Sequence, residues 1–182
     1  MIGEVVGGEG EVTIWAVGKG SEARGTDRGG RPARNGSGQT ERKLTPKQLG
    51  EIAEAEFVAK AVEKGFVVAK PWGDSEPFDF IVNVRREFNF WRVQVKSAHV
   101  RGRDGTYSFG AHDGSRKPYT AEEIDALVAY ARPEGAWYVL PVRAVEGLKA
   151  LKLSPATKVS RSKYEKWREG WELLRRVVRG RR

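Results

Sequence analysis

Two short runs set back to back constrain this chain most. In the first, Phe78, Phe80, Val82 and Val84 alternate with Asp79, Ile81 and Asn83. In the second, Trp91, Val93 and Val95 alternate with Arg92, Gln94 and Lys96. Period-two alternation marks half-buried strands, so the runs predict two neighbouring strands joined by a charged turn. The second strand sets Arg92, Gln94 and Lys96 on one face and apolar side chains on the other. Asp79 stands at the head of the first strand, behind a loop of turn formers at 71–77 (PWGDSEP). An acid at one strand's start, with an amide and an amine two residues apart on the next, can gather round one metal ion.

Upstream, Thr45 and Pro46 open a helix as N-cap and first helical residue. The helix is expected to reach about Lys64, with Gly65 ending it. At about 100° per residue, Glu56, Lys60, Glu63 and Lys64 share a solvated side, and Ala55, Val58, Ala59, Ala61 and Val62 lie opposite. Glu51 and Glu54 fall on that apolar side. A carboxylate there is costly unless it is paired or holds a cation, which makes both candidate site residues. Residues 66–70 read as a strand.

Downstream, 107–109 form a possible short strand inside a polar, Gly-rich segment. Residues 120–123 form a capping box, expected to open a helix to about Ala131 with Ile124, Leu127, Val128 and Ala131 as its stripe. Residues 136–142 (AWYVLPV) suit a strand buried on both faces, and 148–153 a last strand. Residues 162–179 place Tyr164, Trp167, Trp171, Leu174 and Val178 at helical spacing, a packing stripe rather than a base-stacking one. Lys163, Lys166, Arg168, Arg175, Arg176 and Arg179 fall on the other face and are candidate phosphate contacts. His99 and His112 read as loop histidines. From 45 to 142 the predicted order is α, β, β, β, α, β, a mixed sheet flanked by helices.

Residues 1–43 are expected to be a disordered Gly/Arg-rich tail, with only 12–17 fit for a strand and Arg24, Arg28, Arg31 and Arg34 for loose phosphate contact. Residues 44–182 then make one domain, which suits a chain of 182 residues. The net charge of +9 points to a polyanionic partner, nucleic acid first. The absence of cysteine excludes disulfides, zinc ribbons and thiol catalysis. No apolar run reaches membrane-span length and no signal-peptide order opens the chain, so a cytoplasmic protein is expected.

The helical Glu in GEIAEAEF (50–57), the Asp in EPFDFIV (76–82) and the pair in VQVKSA (93–98), in this order, resemble the PD-(D/E)XK nuclease superfamily, with its restriction-endonuclease-like αβββαβ core. Within it the chain looks most like small single-domain nucleases carrying Q-x-K, among them homing endonucleases associated with group I introns. The resemblance runs from about 44 to 178. It implies a metal-dependent DNA endonuclease using Mg²⁺ or Mn²⁺, with Asp79 as central metal ligand and Gln94 binding through its amide oxygen. Lys96 would orient or activate the attacking water, and Glu54 would reach the metal from the helix, with Glu51 as the alternative. Ser75 would lie near the scissile phosphate, and Arg92 would join the substrate contacts. Two departures stand out: Phe78 separates Pro77 from Asp79, and Gln94 is neutral where the family usually has an acid. Double-stranded or branched DNA is the implied partner. A homo-oligomer is expected, because one small one-site subunit needs a second copy to cut both strands. A junction-resolving nuclease, a silent DNA-binding protein and a basic domain with a structural Asp–Lys pair remain open readings.

Overall fold

The computed structural model describes residues 44–73, 75–84, 87–156 and 162–176. The tail at 1–43, with its candidate strand and arginines, lies outside the described residues, as do Val178 and Arg179.

Helix α1 spans Pro46–Glu63. Its start is as expected: the Thr45 hydroxyl accepts from the Gln48 N–H at 3.2 Å, and the Gln48 side chain accepts from the Thr45 N–H at 2.9 Å. Gly65, at φ 84°, takes the left-handed conformation that ends it. The buried line is Ala53, Phe57 and Ala61, not the expected one, since Ala55, Ala59 and Val62 are exposed. Phe57 decides the rotation. Its ring stacks on Phe80 and Trp171, with centroids 5.2 and 5.9 Å away, and burying a large aromatic outweighs burying several small side chains.

The strands are β1 (Phe66–Ala69), β2 (Phe80–Val84), β3 (Phe90–Ala98), β4 (Tyr107–Gly110), β5 (Ala126–Ala131), β6 (Ala136–Pro141) and β7 (Ala150–Leu153). Five of them form a mixed sheet in the order β1-β2-β3-β5-β6, and β4 with β7 forms a small second sheet. Within the large sheet only β3 and β5 are parallel. Helix α1 packs on the face carrying Trp91, Val93 and Val95. Beyond β3, the opposite face is covered by the small sheet through Tyr107, Phe109, Leu151 and Leu153.

Two expected helices are corrected. Half of the capping box at 120–123 forms, with Thr120 N–H and hydroxyl both donating to Glu123 Oε2 while the Glu123 N–H bonds the Thr120 carbonyl, and it makes one turn only. Residues 126–131 then enter the sheet as β5 instead of continuing a helix. The apolar stripe in this segment is not a stripe, because Ala126, Ala129 and Tyr130 fill the gaps between its members. A run apolar all round suits a strand buried on both faces, and every residue of β5 is buried. The parallel β3–β5 connection is therefore made by a loop and β4, without a crossover helix.

In the C-terminal segment, the described residues form two short 3₁₀ turns, Glu165–Trp167 and Trp171–Arg175, in place of an α-helix. Glu169, at φ 48°, breaks the run. Its N–H donates to Trp137 O at 2.7 Å, and its carboxylate accepts from Trp137 N–H and Trp171 Nε1 at 3.1 and 2.9 Å. These bonds satisfy the edge of β6, which a continuous helix would leave open. The aromatic stripe does pack, as expected: Tyr164, Trp171 and Leu174 are buried.

Candidate active site

The site forms where β2 and β3 part. Asp79 N–H donates to Val93 O at 2.9 Å, the last ladder bond on that side. The chain then leaves β3, which runs on to Ala98 paired only with β5. Val95 would have an unpaired N–H there. It donates to Asp79 Oδ2 at 2.7 Å, and Gln94 Nε2 donates to the same oxygen at 2.5 Å. The Asp79 carboxylate thus takes the place of a strand partner. Gln94 is 8% exposed and holds that carboxylate through its amide nitrogen.

Helix α1 supplies Glu54. Burial of Ala53 turns the next residue to the rim of the cleft, where Lys70, just past β1, donates to Glu54 Oε2 at 2.7 Å. Glu54, Asp79, Gln94 and Lys96 together line one cleft of about 470 Å³. Lys96 makes no hydrogen bond or ion pair among the described residues; its Nζ lies 5.5 Å from the centre of the Tyr119 ring.

Burial pushes the Asp79 carboxyl above the usual carboxylate range, against the pull of the Val95 N–H, and the nearby Glu54 charge pushes the same way; Lys96 and Gln94 pull it down. Burial likewise holds Lys96 below the usual lysine range, opposed by Asp79, Glu54 and Asp113. Two carboxylates in a half-buried cleft, offering oxygen ligands, suit a hard cation. Among the described residues no three His, Cys, Asp or Glu side chains cluster, so Gln94 is the third donor available beside Asp79 and Glu54.

The other predicted residues sit elsewhere. Glu51 is exposed on α1 and absent from the cleft lining, as is Ser75 in the loop before β2. Arg92 is tied to Asp125 by two guanidinium contacts, at 3.1 and 3.2 Å, and lies off the cleft. Arg168 donates to Pro155 O and Glu165. Arg175 donates to Lys64 O at 2.6 Å and covers the Phe66 ring. Lys163 is exposed, with its Nζ 5.1 Å from the Tyr164 ring centre.

Ser97, Lys70 and Tyr119 join the site without a sequence signal having named them, and His99, expected to be a loop histidine, joins it too. Ser97 and His99 line the cleft, with Ser97 Oγ and His99 Nε2 3.0 Å apart. Burial and Arg132 hold His99 below its usual range, opposed by Glu56. Lys70 and Tyr119 are the others. The continued alternation of β3 past Lys96 was the available signal for Ser97; nothing local marks Lys70 or Tyr119, which arrive through tertiary packing.

A mixed five-stranded sheet, with an acid, an amide and an amine gathered where two strands separate, defines the restriction-endonuclease-like class. Residues 44–174 match the PD-(D/E)XK endonuclease family, and the chain belongs to that family. It is a nuclease. Among solved structures it is similar to a bacterial homing endonuclease, I-Ssp6803I, with 26% identity over 72% of this chain and 92% of that one, and a TM-score of 0.63. No curated protein matches the chain.

Proposed function

We propose that this protein is a homing-endonuclease-like DNA endonuclease that hydrolyses phosphodiester bonds with the help of Mg²⁺ or Mn²⁺. The observation that carries the reading is the meeting of Glu54, Asp79, Gln94 and Lys96, from α1 and the β2–β3 fork, in one cleft. Asp79 and Glu54 would hold the cation through carboxylate oxygens, and Gln94 through Oε1. When bound, such a cation polarises a phosphoryl oxygen and lowers the pKa of its water. Three protein oxygens would leave a hard cation able to take water and substrate phosphate as well.

The chain's own residues do the rest. The Lys96 ammonium, unbonded among the described residues, donates to the attacking water or to a phosphoryl oxygen and offsets charge building there. The Val95 N–H and Gln94 amide fix Asp79 before substrate arrives, so little reorganisation is needed on binding. The basic balance of the whole chain favours DNA over a neutral substrate. A homo-oligomer would bring a second cleft to the second strand.

The test is incubation of supercoiled and four-way-branched DNA with Mg²⁺, comparing wild type with Asp79→Asn and Lys96→Ala. Cutting by the wild type and loss in both variants supports the mechanism. Cutting that survives both substitutions refutes it. Binding without cutting on every substrate assigns the protein to the silent DNA-binding reading, and cutting of the branched substrate alone to the junction-resolving one.

A further inference from the structure

Lys96 lines the cleft with no carboxylate or carbonyl among the described residues hydrogen-bonded to it. An ammonium so placed would sample many rotamers and lose the alignment that a catalytic donor needs. Among the described residues one restraint is at hand. The Tyr119 ring lies beneath Nζ at 5.5 Å, within cation–π range. Tyr119 is 3% exposed and belongs to the core cluster with Tyr107, Phe109 and Tyr138.

The ring is also fixed along the chain. Tyr119 N–H donates to Ala111 O at 3.2 Å, and His112 bridges Pro118 as an isolated antiparallel pair. Asp113 Oδ1 closes the intervening loop by accepting from Ser115 N–H and Lys117 N–H, at 2.9 and 2.8 Å. On the other side Thr120 starts the capped turn into β5. An aromatic face so anchored is a rigid floor for a mobile cation.

We propose that Tyr119 is the positioning residue for Lys96, its ring face holding the ammonium at the reacting end of the cleft. The hydroxyl is dispensable on this reading and the electron density of the ring is not. The kinetic consequence rests on the endonuclease function proposed above; the contact itself does not.

The experiment replaces Tyr119 with phenylalanine and with phenylalanines carrying one, two and three ring fluorines, which keep the ring's shape while draining charge from its face. Tyr119→Phe keeps the ring face and serves as the reference from which the fluorinated series is read. The fluorinated series should lose kcat stepwise, to roughly 5- to 30-fold at the end, with KM for DNA unchanged. Tyr119→Leu, if it folds, should cost nothing further in a Lys96→Met background. A flat fluorine series, or losses of Tyr119→Leu and Lys96→Met that multiply, overturns the proposal. Proton NMR gives a readout independent of cutting: the Lys96 ε-methylene should show an upfield ring-current shift in wild type and Tyr119→Phe. Methylene shifts at their unstructured values overturn the proposal as well. If the wild type cuts no DNA at all, the endonuclease reading falls, and the methylene shifts still decide the role of Tyr119.

Discussion

Replacing Arg92 by alanine should unfold this domain more readily rather than weaken its grip on DNA. Arg92 and Asp125 form a nearly buried pair, with side chains 16% and 7% exposed. The guanidinium meets both carboxylate oxygens, at 3.2 Å from Nε and 3.1 Å from Nη2. It also donates to the carbonyls of Ala121, at 2.7 Å, and Glu122. The two backbones are tied as well, Arg92 N–H to Asp125 Oδ2 at 2.7 Å and Asp125 N–H to Arg92 O at 2.9 Å. Truncating the arginine takes the guanidinium away from a buried carboxylate and from two carbonyls, a loss of about 3–5 kcal/mol. That is a large share of the roughly 5–15 kcal/mol that holds a domain together. Urea unfolding followed by circular dichroism should show it as an earlier midpoint at unchanged slope. The double replacement Arg92→Met with Asp125→Leu should recover most of the loss, because no charge is then stranded. A loss below about 1 kcal/mol in Arg92→Ala, with DNA affinity reduced, would refute this reasoning and return Arg92 to the substrate contacts. The pair also fixes where β3 meets β5 and hence the height of Gln94 and Lys96, two and four residues along the strand.

Asp79→Asn should abolish cutting and yet raise stability at neutral pH. The folded-state carboxyl titrates above its unfolded value, so folding is helped where the group is protonated and that help is lost as pH rises through the folded value. The gain of the Asn variant should therefore fade in acid, which thermal melts across pH will show. Lys70→Ala should lower the Mg²⁺ concentration needed for half-maximal cutting by a few-fold at most, because it releases Glu54 from a half-exposed pair worth about 0.2–1 kcal/mol; a raised requirement would contradict a metal-binding Glu54. Trp171→Ala should cost about 3–5 kcal/mol in the same urea assay, since its ring packs on both Phe57 and Trp137 and its Nε1 bonds Glu169.

The fork of β2 and β3 was legible because its signal is local: alternation names the strands, and the one acid at a strand's head names the site. Helix α1 was legible at both ends for the same reason, through Thr45, Pro46 and Gly65. Its rotation was not, because the helix carries more small apolar residues away from the core than toward it, and only the tertiary stack of Phe57 with Phe80 and Trp171 settles the matter. The segment 120–131 misled in a different way. The Glu123 side chain does cap Thr120, but β3 offers an open edge for the residues that follow, and a parallel pair cannot be read from one strand alone. Arg92 shows the limit for charges. Its alternation with Gln94 and Lys96 put three polar side chains on one face, and only the arrival of Asp125 from 33 residues away separates the one that braces the sheet from the two that face the cleft.

The hairpin of β5 and β6 bears on how the chain comes off the ribosome. ALVAYA and AWYVLP are buried at every position, contain no charge, and would make a sticky ribbon if they emerged bare. Synthesis runs from α1 through β3 first, so the α1-bearing side of the sheet they join is made when they appear, while β7 and the turns at 165–175 that cover the rest follow later. The parallel register of β3 with β5 gives the ribbon a specific edge to meet. A circular permutant starting between β4 and β5 would reverse that order, and should lose soluble yield during expression while keeping the same sheet in whatever fraction folds.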